Sequence, residues 1–128
     1  MTSRNKALLL AELAESKKAE DIVIMDMRKV SNITDFFVIA TASSARRAQT
    51  IKDAIEEALK KAKQPISSIE GVKEADWILV DAFDVCVHIF NKDLREFYDL
   101  EGLWKDAKRG GVCQKPKNKR SKKSSKRK

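Results

Sequence analysis

The alternation of hydrophobic and polar positions between residues 77 and 90 predicts a β-hairpin. This stretch reads W-I-L-V-D-A-F-D-V-C-V-H-I-F, in which two apolar runs of strand-forming residues flank a short polar break. A two-residue turn at Ala82 and Phe83 would set Asp81 opposite Asp84. The strand pairs would then be Val80 with Val85, Leu79 with Cys86, Ile78 with Val87 and Trp77 with His88. Neither Ala nor Phe is favoured in such a turn, so a longer loop stays open.

Side-chain alternation gives this hairpin two different faces. One face is aliphatic and suits a core beneath helices: Ile78, Val80, Val85, Val87 and Ile89. The other mixes aromatic rings, an imidazole and carboxylates, and suits the binding of a partner: Trp77, Leu79, Asp81, Asp84, Cys86, His88 and Phe90. The alternative is that Trp77 and Phe90 pack beneath another helix of the same chain. A one-residue slip in register would exchange the faces.

The segments before the hairpin alternate between helix and strand patterns. Residues 6–18 contain no Gly or Pro and predict a first helix. Apolar runs at residues 22–25 and 36–40 predict two buried strands. Apolar residues at helical spacing from Ile51 to Ala62 predict a second helix, capped by Ser43 or Ser44.

A short strand at residues 66–70 and a C-terminal helix beginning after Asn91 or Asp93 complete the order. The pattern predicts one α/β domain over residues 1–112, with a mixed sheet and helices on both of its faces.

The positive charge of the chain is concentrated at its C-terminus. The net charge is +8, but residues 114–128 hold nine Lys or Arg and no acid, which leaves 18 basic and 19 acidic residues before them. Such a segment cannot bury enough apolar surface to fold, so residues 113–128 are predicted to be a disordered tail. A tail of this kind attracts phosphate without sequence selectivity, or it serves only to keep the protein in solution.

No arrangement of residues typical of catalysis is found. His88 is the only histidine and has no nearby partner for proton transfer, and both common glycine-rich phosphate loops are absent. Ser43 and Ser44 open a helix, where they bind an anion or act as a plain cap. We therefore expect no enzyme activity, no cofactor and no metal. The rival interpretation is a nucleotide-binding transferase that uses Asp81, Asp84 and the serine turn.

The sequence predicts neither a membrane span nor a signal peptide. No apolar run approaches the 18 residues of a membrane span, and the N-terminus lacks the apolar region of a signal peptide. Cys86 and Cys113 stand too far apart for a metal motif, and neither position predicts a structural disulfide. We expect a cytoplasmic protein.

Residues 77–104 have the composition of a protein-binding surface. Trp77, Phe90, Tyr98 and Trp104 alone supply four of the eight aromatic residues of the chain within these 28 residues. Acidic residues accompany them at Asp81, Asp84, Asp99 and Glu101. Aromatic rings with charged neighbours are typical of interface hot spots, and the acidic component favours a basic partner such as a ribosomal protein.

Several motifs together resemble the Iojap family of ribosomal silencing factors, also called RsfS. They are I-T-D-F-F-V-I-A-T-A-S-S-A-R-R at residues 33–47, I-E-G at 69–71, W-I-L-V-D at 77–81, V-C-V-H-I-F at 85–90 and R-E-F-Y-D-L-E-G-L-W at 95–104. The resemblance implies a nucleotidyltransferase-like fold without the transferase active site. It also implies docking on the large-subunit protein L-fourteen, which blocks joining of the small subunit and represses translation when nutrients are scarce.

Carried over by position, the binding surface of that family falls on nine residues: Trp77, Leu79, Asp81, His88, Phe90, Tyr98, Asp99, Glu101 and Trp104. The chain departs from the family pattern at Phe83, where glycine is common, and at Ala75 and Asp76, where a nearby glycine is missing. The basic tail also lies outside that pattern.

Two expectations concern further partners. We expect the tail to contact ribosomal RNA near the docking site, with its lysines and arginine as the contacts: Lys115, Lys117, Lys119, Arg120, Lys122 and Lys123. A general RNA-binding protein that acts through the tail alone is the alternative. An exposed aromatic face is also able to pair with itself, which is consistent with a homodimer that dissociates on the ribosome.

Overall fold

The computed structural model describes residues 1–92 and 94, which form two helices and five strands in one domain. The elements are α1 (Ser3–Ser16), β1 (Glu20–Asp26), β2 (Phe36–Ala42), α2 (Ala45–Lys61), β3 (Ser68–Glu70), β4 (Trp77–Asp81) and β5 (Val85–Asn91). This is the predicted order. The predicted C-terminal helix beyond residue 94, the boundary at residue 112 and the basic tail lie outside the described residues.

The five strands form a mixed sheet in the order β1-β2-β5-β4-β3. β2 and β5 are parallel, and every other neighbouring pair is antiparallel. The chain crosses from β2 to β5 through α2, β3 and β4, so the two parallel strands are far apart in the sequence. The prediction of an α/β domain with a mixed sheet is confirmed.

The cap of each helix explains where the helix begins. Ser44 accepts a hydrogen bond at its side-chain oxygen from the Arg47 amide, 3.1 Å away, and α2 then buries one apolar stripe: Ala48, Ile51, Ile55 and Leu59. Thr2 caps α1 in the same way through the Asn5 amide, so α1 begins three residues earlier than predicted. Among the described helices, none is long and apolar enough to cross a membrane.

Both described helices pack on the same face of the sheet. Leu10 of α1 and Ile55 of α2 share one core with Val38, Val87 and Ile89. The expectation of helices on both faces stays a prediction, because the predicted C-terminal helix lies outside the described residues. Hydrophobic periodicity shows that a helix has a buried side but does not show which face of the sheet that side covers.

β1 does not have the predicted environment. Its residues are exposed or half-exposed, because β1 is an edge strand with β2 as its only described neighbour. β2, with seven buried residues, matches the prediction. The two apolar runs look alike in the sequence, and their positions in the sheet depend on pairings between distant segments.

The hairpin forms with a different register from the one predicted. The observed pairs are Trp77 with Phe90, Ile78 with Ile89, Leu79 with His88, Val80 with Val87 and Asp81 with Cys86. The loop contains Ala82, Phe83 and Asp84, and the Ala82 amide donates to the Val85 carbonyl at 2.9 Å. The two-residue turn was therefore wrong. Because the register moves by two positions, the side chains of both strands stay on their predicted faces. Asp84 is the exception, since it lies in the loop and its side chain pairs with Lys6 of α1.

Candidate partner-binding face

The aromatic face of the sheet is a connected set of rings on β2, β4 and β5. The indole nitrogen of Trp77 donates to His88 Nδ1 at 3.1 Å. The centroids of the Trp77 and Phe90 rings are 4.6 Å apart, and Phe37 meets the His88 ring edge-on at the same separation. Since Nδ1 of His88 accepts this hydrogen bond, the neutral ring carries its proton on Nε2.

Four predicted binding residues on this face are buried. Trp77 is 3% exposed and His88 1%, and Leu79 and Phe90 have no exposed area. Trp77, Leu79 and Phe90 belong to a second core with Met27, Phe37 and Ile39, against which Leu94 also packs. The His88 ring lies against the rings of Phe37 and Trp77. The structure thus brings the predicted residues together but does not expose them, and the alternative in which Trp77 and Phe90 pack within the chain agrees with their burial. An exposed aromatic face, on which the homodimer expectation depended, is not found among the described residues.

Asp81 is the one described member of the predicted surface that is only half-buried. It ends β4, and its Oδ1 atom accepts a hydrogen bond from the Phe83 amide at 2.9 Å. Tyr98, Asp99, Glu101 and Trp104, the other predicted binding residues, lie outside the described residues, as do the tail residues from Lys115 to Lys123.

The hairpin loop is held from two sides. Lys6, a buried residue of α1, donates to the Ala82 carbonyl at 3.2 Å and forms an ion pair with Asp84 at 2.5 Å. The Asp84 carbonyl accepts hydrogen bonds from the side chain of Thr34 at 3.1 Å and from the amide of Asp35 at 2.8 Å. Sequence reasoning missed Lys6, because a lysine in an amphipathic helix is normally solvated and its loop partners are 76 and 78 positions away.

Phe83 is unusual in this loop. It is 52% exposed and has a φ angle of 71°, in the left-handed region that a bulky residue seldom adopts. The resemblance had indicated glycine here, and glycine adopts such an angle without steric cost. The loop contacts around Ala82 and Asp84 therefore hold a conformation that Phe83 does not itself favour.

The residues of the rival transferase interpretation do not meet. Asp84 lies beside Asp35, where β2 begins, whereas Ser44 follows the end of β2. The seven residues of β2 span roughly 20 Å at the usual rise of a strand. Asp84 is also paired with Lys6 and Ser44 acts as a helix cap, as the plain interpretation of the serine turn expects. In the described part of the chain, no group of three His, Cys, Asp or Glu side chains is arranged to hold a metal ion.

Cys86 departs from expectation. It is fully buried on the aromatic face and is disulfide-bonded; Cys113, the other cysteine, lies outside the described residues. The expectation of no structural disulfide is wrong for Cys86. Sequence separation cannot exclude a disulfide, because the geometry that decides it is three-dimensional.

Comparison with known proteins agrees with the fold and with the motifs. The family described as "Ribosomal silencing factor during starvation", RsfS, matches residues 1–128. The ribosomal silencing factor RsfS of Bacillus subtilis is 37% identical over 107 residues, which are 84% of this chain and 91% of that protein. A mouse protein named "Mitochondrial assembly of ribosomal large subunit protein 1" is 30% identical over 99 residues, covering 75% of this chain and 43% of its own length.

A solved structure supports the same relationship. The crystal structure of a Chromobacterium violaceum protein superposes with a TM-score of 0.80 at 32% sequence identity, covering 91% of this chain and 92% of its own. None of the names of these relatives denotes an enzyme. With a family match along the whole chain and a shared fold, the protein belongs to the RsfS family of ribosomal silencing factors.

Proposed function

We propose that this protein is a non-enzymatic translation repressor that binds the large ribosomal subunit at cytoplasmic ribosomes and blocks joining of the small subunit when nutrients are limiting. The observation that carries the proposal is the match of residues 1–128 to a family described by ribosomal silencing during starvation. The name of the mouse relative, which refers to the large subunit, supports the choice of subunit.

The proposed contact on the large subunit is protein L-fourteen. Tyr98, Asp99, Glu101 and Trp104 would supply aromatic and acidic contacts, with Asp81 at the end of β4 as a further carboxylate. Trp77, Leu79, His88 and Phe90 contribute differently, since they are buried. They hold β4 and β5 in the register that fixes the position of Asp81.

Binding to isolated L-fourteen tests the proposed contact. We expect Glu101→Lys and Trp104→Ala each to weaken binding by about 2 kcal/mol, the usual cost at an interface hot spot. The matched control is Glu57→Lys, which reverses an exposed charge on α2. Equal binding by all three variants would reject this surface. Trp77→Ala is a poor probe because a buried tryptophan also supports the fold.

Repression is tested separately by light scattering during the joining of purified subunits. The proposal requires the intact protein to reduce joining in proportion to its occupancy of the large subunit. Full occupancy with unimpaired joining would contradict the steric mechanism while leaving the binding in place.

The basic tail has its own proposed role, which is contact with ribosomal RNA near the docking site. Deleting residues 114–128 should reduce the dependence of ribosome binding on salt, because phosphate contacts release counterions. If the salt dependence is unchanged, the tail does not contact RNA on the ribosome.

A further inference from the structure

A groove runs between α1 and the edge strand β1, on the helix-covered side of the sheet. It encloses about 500 Å³ and is lined by Leu8, Ala11, Glu12, Glu15, Ala19, Asp21, Ile22 and Ile24. This volume lies in the range of clefts that bind small ligands. The groove and the aromatic face lie on opposite faces of the sheet, because α1 packs in the core opposite Trp77 and Phe90.

The floor of the groove retains exposed apolar area. Leu8 is 43% exposed and Ile24 is 37% exposed, two of the five large apolar residues that stand out as exposed in the described part of the chain. Contiguous exposed apolar groups with a polar rim are typical of interaction sites.

Among the described residues, the rim of the groove carries negative charge only. Its charged members are Glu12, Glu15 and Asp21, and no described Lys or Arg lines it. Glu12 and Glu15 are exposed and form no ion pair with another described residue. An apolar floor beneath such a rim complements a segment that presents both apolar and basic side chains.

We propose that this groove docks an extended segment of another protein in which basic and large apolar residues alternate. An extended chain points successive side chains in opposite directions, so the apolar residues reach the floor while the basic residues face outward. The long side chains of Lys and Arg can bend from there to the acidic rim. This second docking surface does not depend on the proposed contact with L-fourteen.

Two other occupants fit less well. A second copy of the chain would bring an identical acidic rim against the first and be repelled. The edge of β1 is also bulged between Glu20 and Val23, a device that discourages strands from pairing edge to edge. The basic tail at residues 114–128 has the required charge, but it contains no large apolar residue to fill the floor.

The test uses the full chain and a labelled synthetic peptide of alternating Lys and Val, with binding followed by fluorescence anisotropy. A Lys and Ser peptide has the same charge without the apolar groups, and a Glu and Val peptide reverses the charge. The proposal predicts binding of the Lys and Val peptide at least about tenfold tighter than of either control, a difference of about 1.4 kcal/mol. Equal binding of the Lys and Ser peptide would overturn the proposal, since charge alone would then account for the interaction.

Variants locate the site. Combined Glu12→Lys and Glu15→Lys should weaken the Lys and Val peptide about tenfold or more, whereas Asp53→Lys with Glu57→Lys, an equal charge change on exposed positions of α2, should leave it within about twofold. Leu8→Ser should also weaken binding, while Ile33→Ser, at an exposed residue elsewhere, should not. Equal losses in the two charge-reversed proteins would overturn the proposal.

Two further outcomes identify the wrong occupant. If the intact protein dimerises, if Leu8→Ser abolishes the dimer and if no peptide binds, the occupant of the groove is a second copy. Peptide binding that appears only after residues 114–128 are deleted would assign it to the tail. Either result rejects the proposed partner.

Discussion

The face of the sheet beneath α1 and α2 is built mainly from aliphatic side chains, with Phe36 as the one aromatic ring among its buried described residues, whereas the opposite face is built around several rings and a directed hydrogen bond. Val87 and Ile89 represent the first face, and Trp77, His88 and Phe90 the second. Aliphatic packing chiefly requires that volumes match, so it tolerates exchanges of similar size. The aromatic face also requires particular orientations, because the Trp77 indole must point at His88. Both faces are therefore buried, but only the aromatic face depends strongly on the orientation of particular side chains.

The most severe test of this comparison is Phe90→Ala. Removal of a fully buried aromatic ring should lower the free energy of unfolding by about 4 kcal/mol, and Ile89→Ala on the other face by about 3 kcal/mol. Urea denaturation measures both. Phe83→Ala is the control, because its half-exposed ring should cost less than about 0.5 kcal/mol. If Phe90→Ala costs no more than the control, the aromatic face is not a core.

A smaller effect should come from the hydrogen bond between Trp77 and His88. A double-mutant cycle with Trp77→Phe and His88→Phe should give a coupling energy of about 1 kcal/mol, the net value of one buried hydrogen bond. The matching cycle on the aliphatic face is Ile78→Val with Ile89→Val, a directly paired couple, where we expect nearly additive losses. Additivity in both cycles would remove the proposed difference between the faces.

The smallest expected effect is at the turn after β1, which brings Met27 into the aromatic core. Hydrogen bonds from the Arg28 guanidinium and from the Arg28 amide lower the pKa of Asp26 from 3.8 to about 2. Because the pKa is lowered in the folded protein, the stabilisation is complete above about pH 4 and is lost as the pH falls to about 2. Asp26→Asn should flatten the acid limb of the stability curve slightly, which urea denaturation between about pH 2 and pH 5 measures. Identical acid limbs in the wild type and Asp26→Asn would contradict this.

The sequence predicted local features well because their causes are local. The spacing of Ile51, Ile55 and Leu59 located α2, the serine before it located the cap, and side-chain alternation assigned both faces of the hairpin despite the wrong loop. A periodic pattern survives a register shift of two, which is why the faces were right and the pairs wrong.

The features that sequence reasoning missed depend on distant residues. The edge position of β1, the placement of α1 and α2 on one face and the burial of Lys6 against the hairpin loop are all decided by how separate segments assemble. The same limit applies to the candidate site. Composition identified Trp77 and Phe90 as notable, but only the assembled sheet shows that they are buried.

The central functional claim is tested most directly by co-sedimentation of the full chain with purified large and small ribosomal subunits at moderate salt, with Glu101→Lys and Glu57→Lys in parallel. We expect the protein and Glu57→Lys to travel with the large subunit only, and Glu101→Lys to stay largely in the supernatant. Equal retention by both subunits, with no effect of Glu101→Lys, would contradict it and would show that binding is a general attraction to RNA.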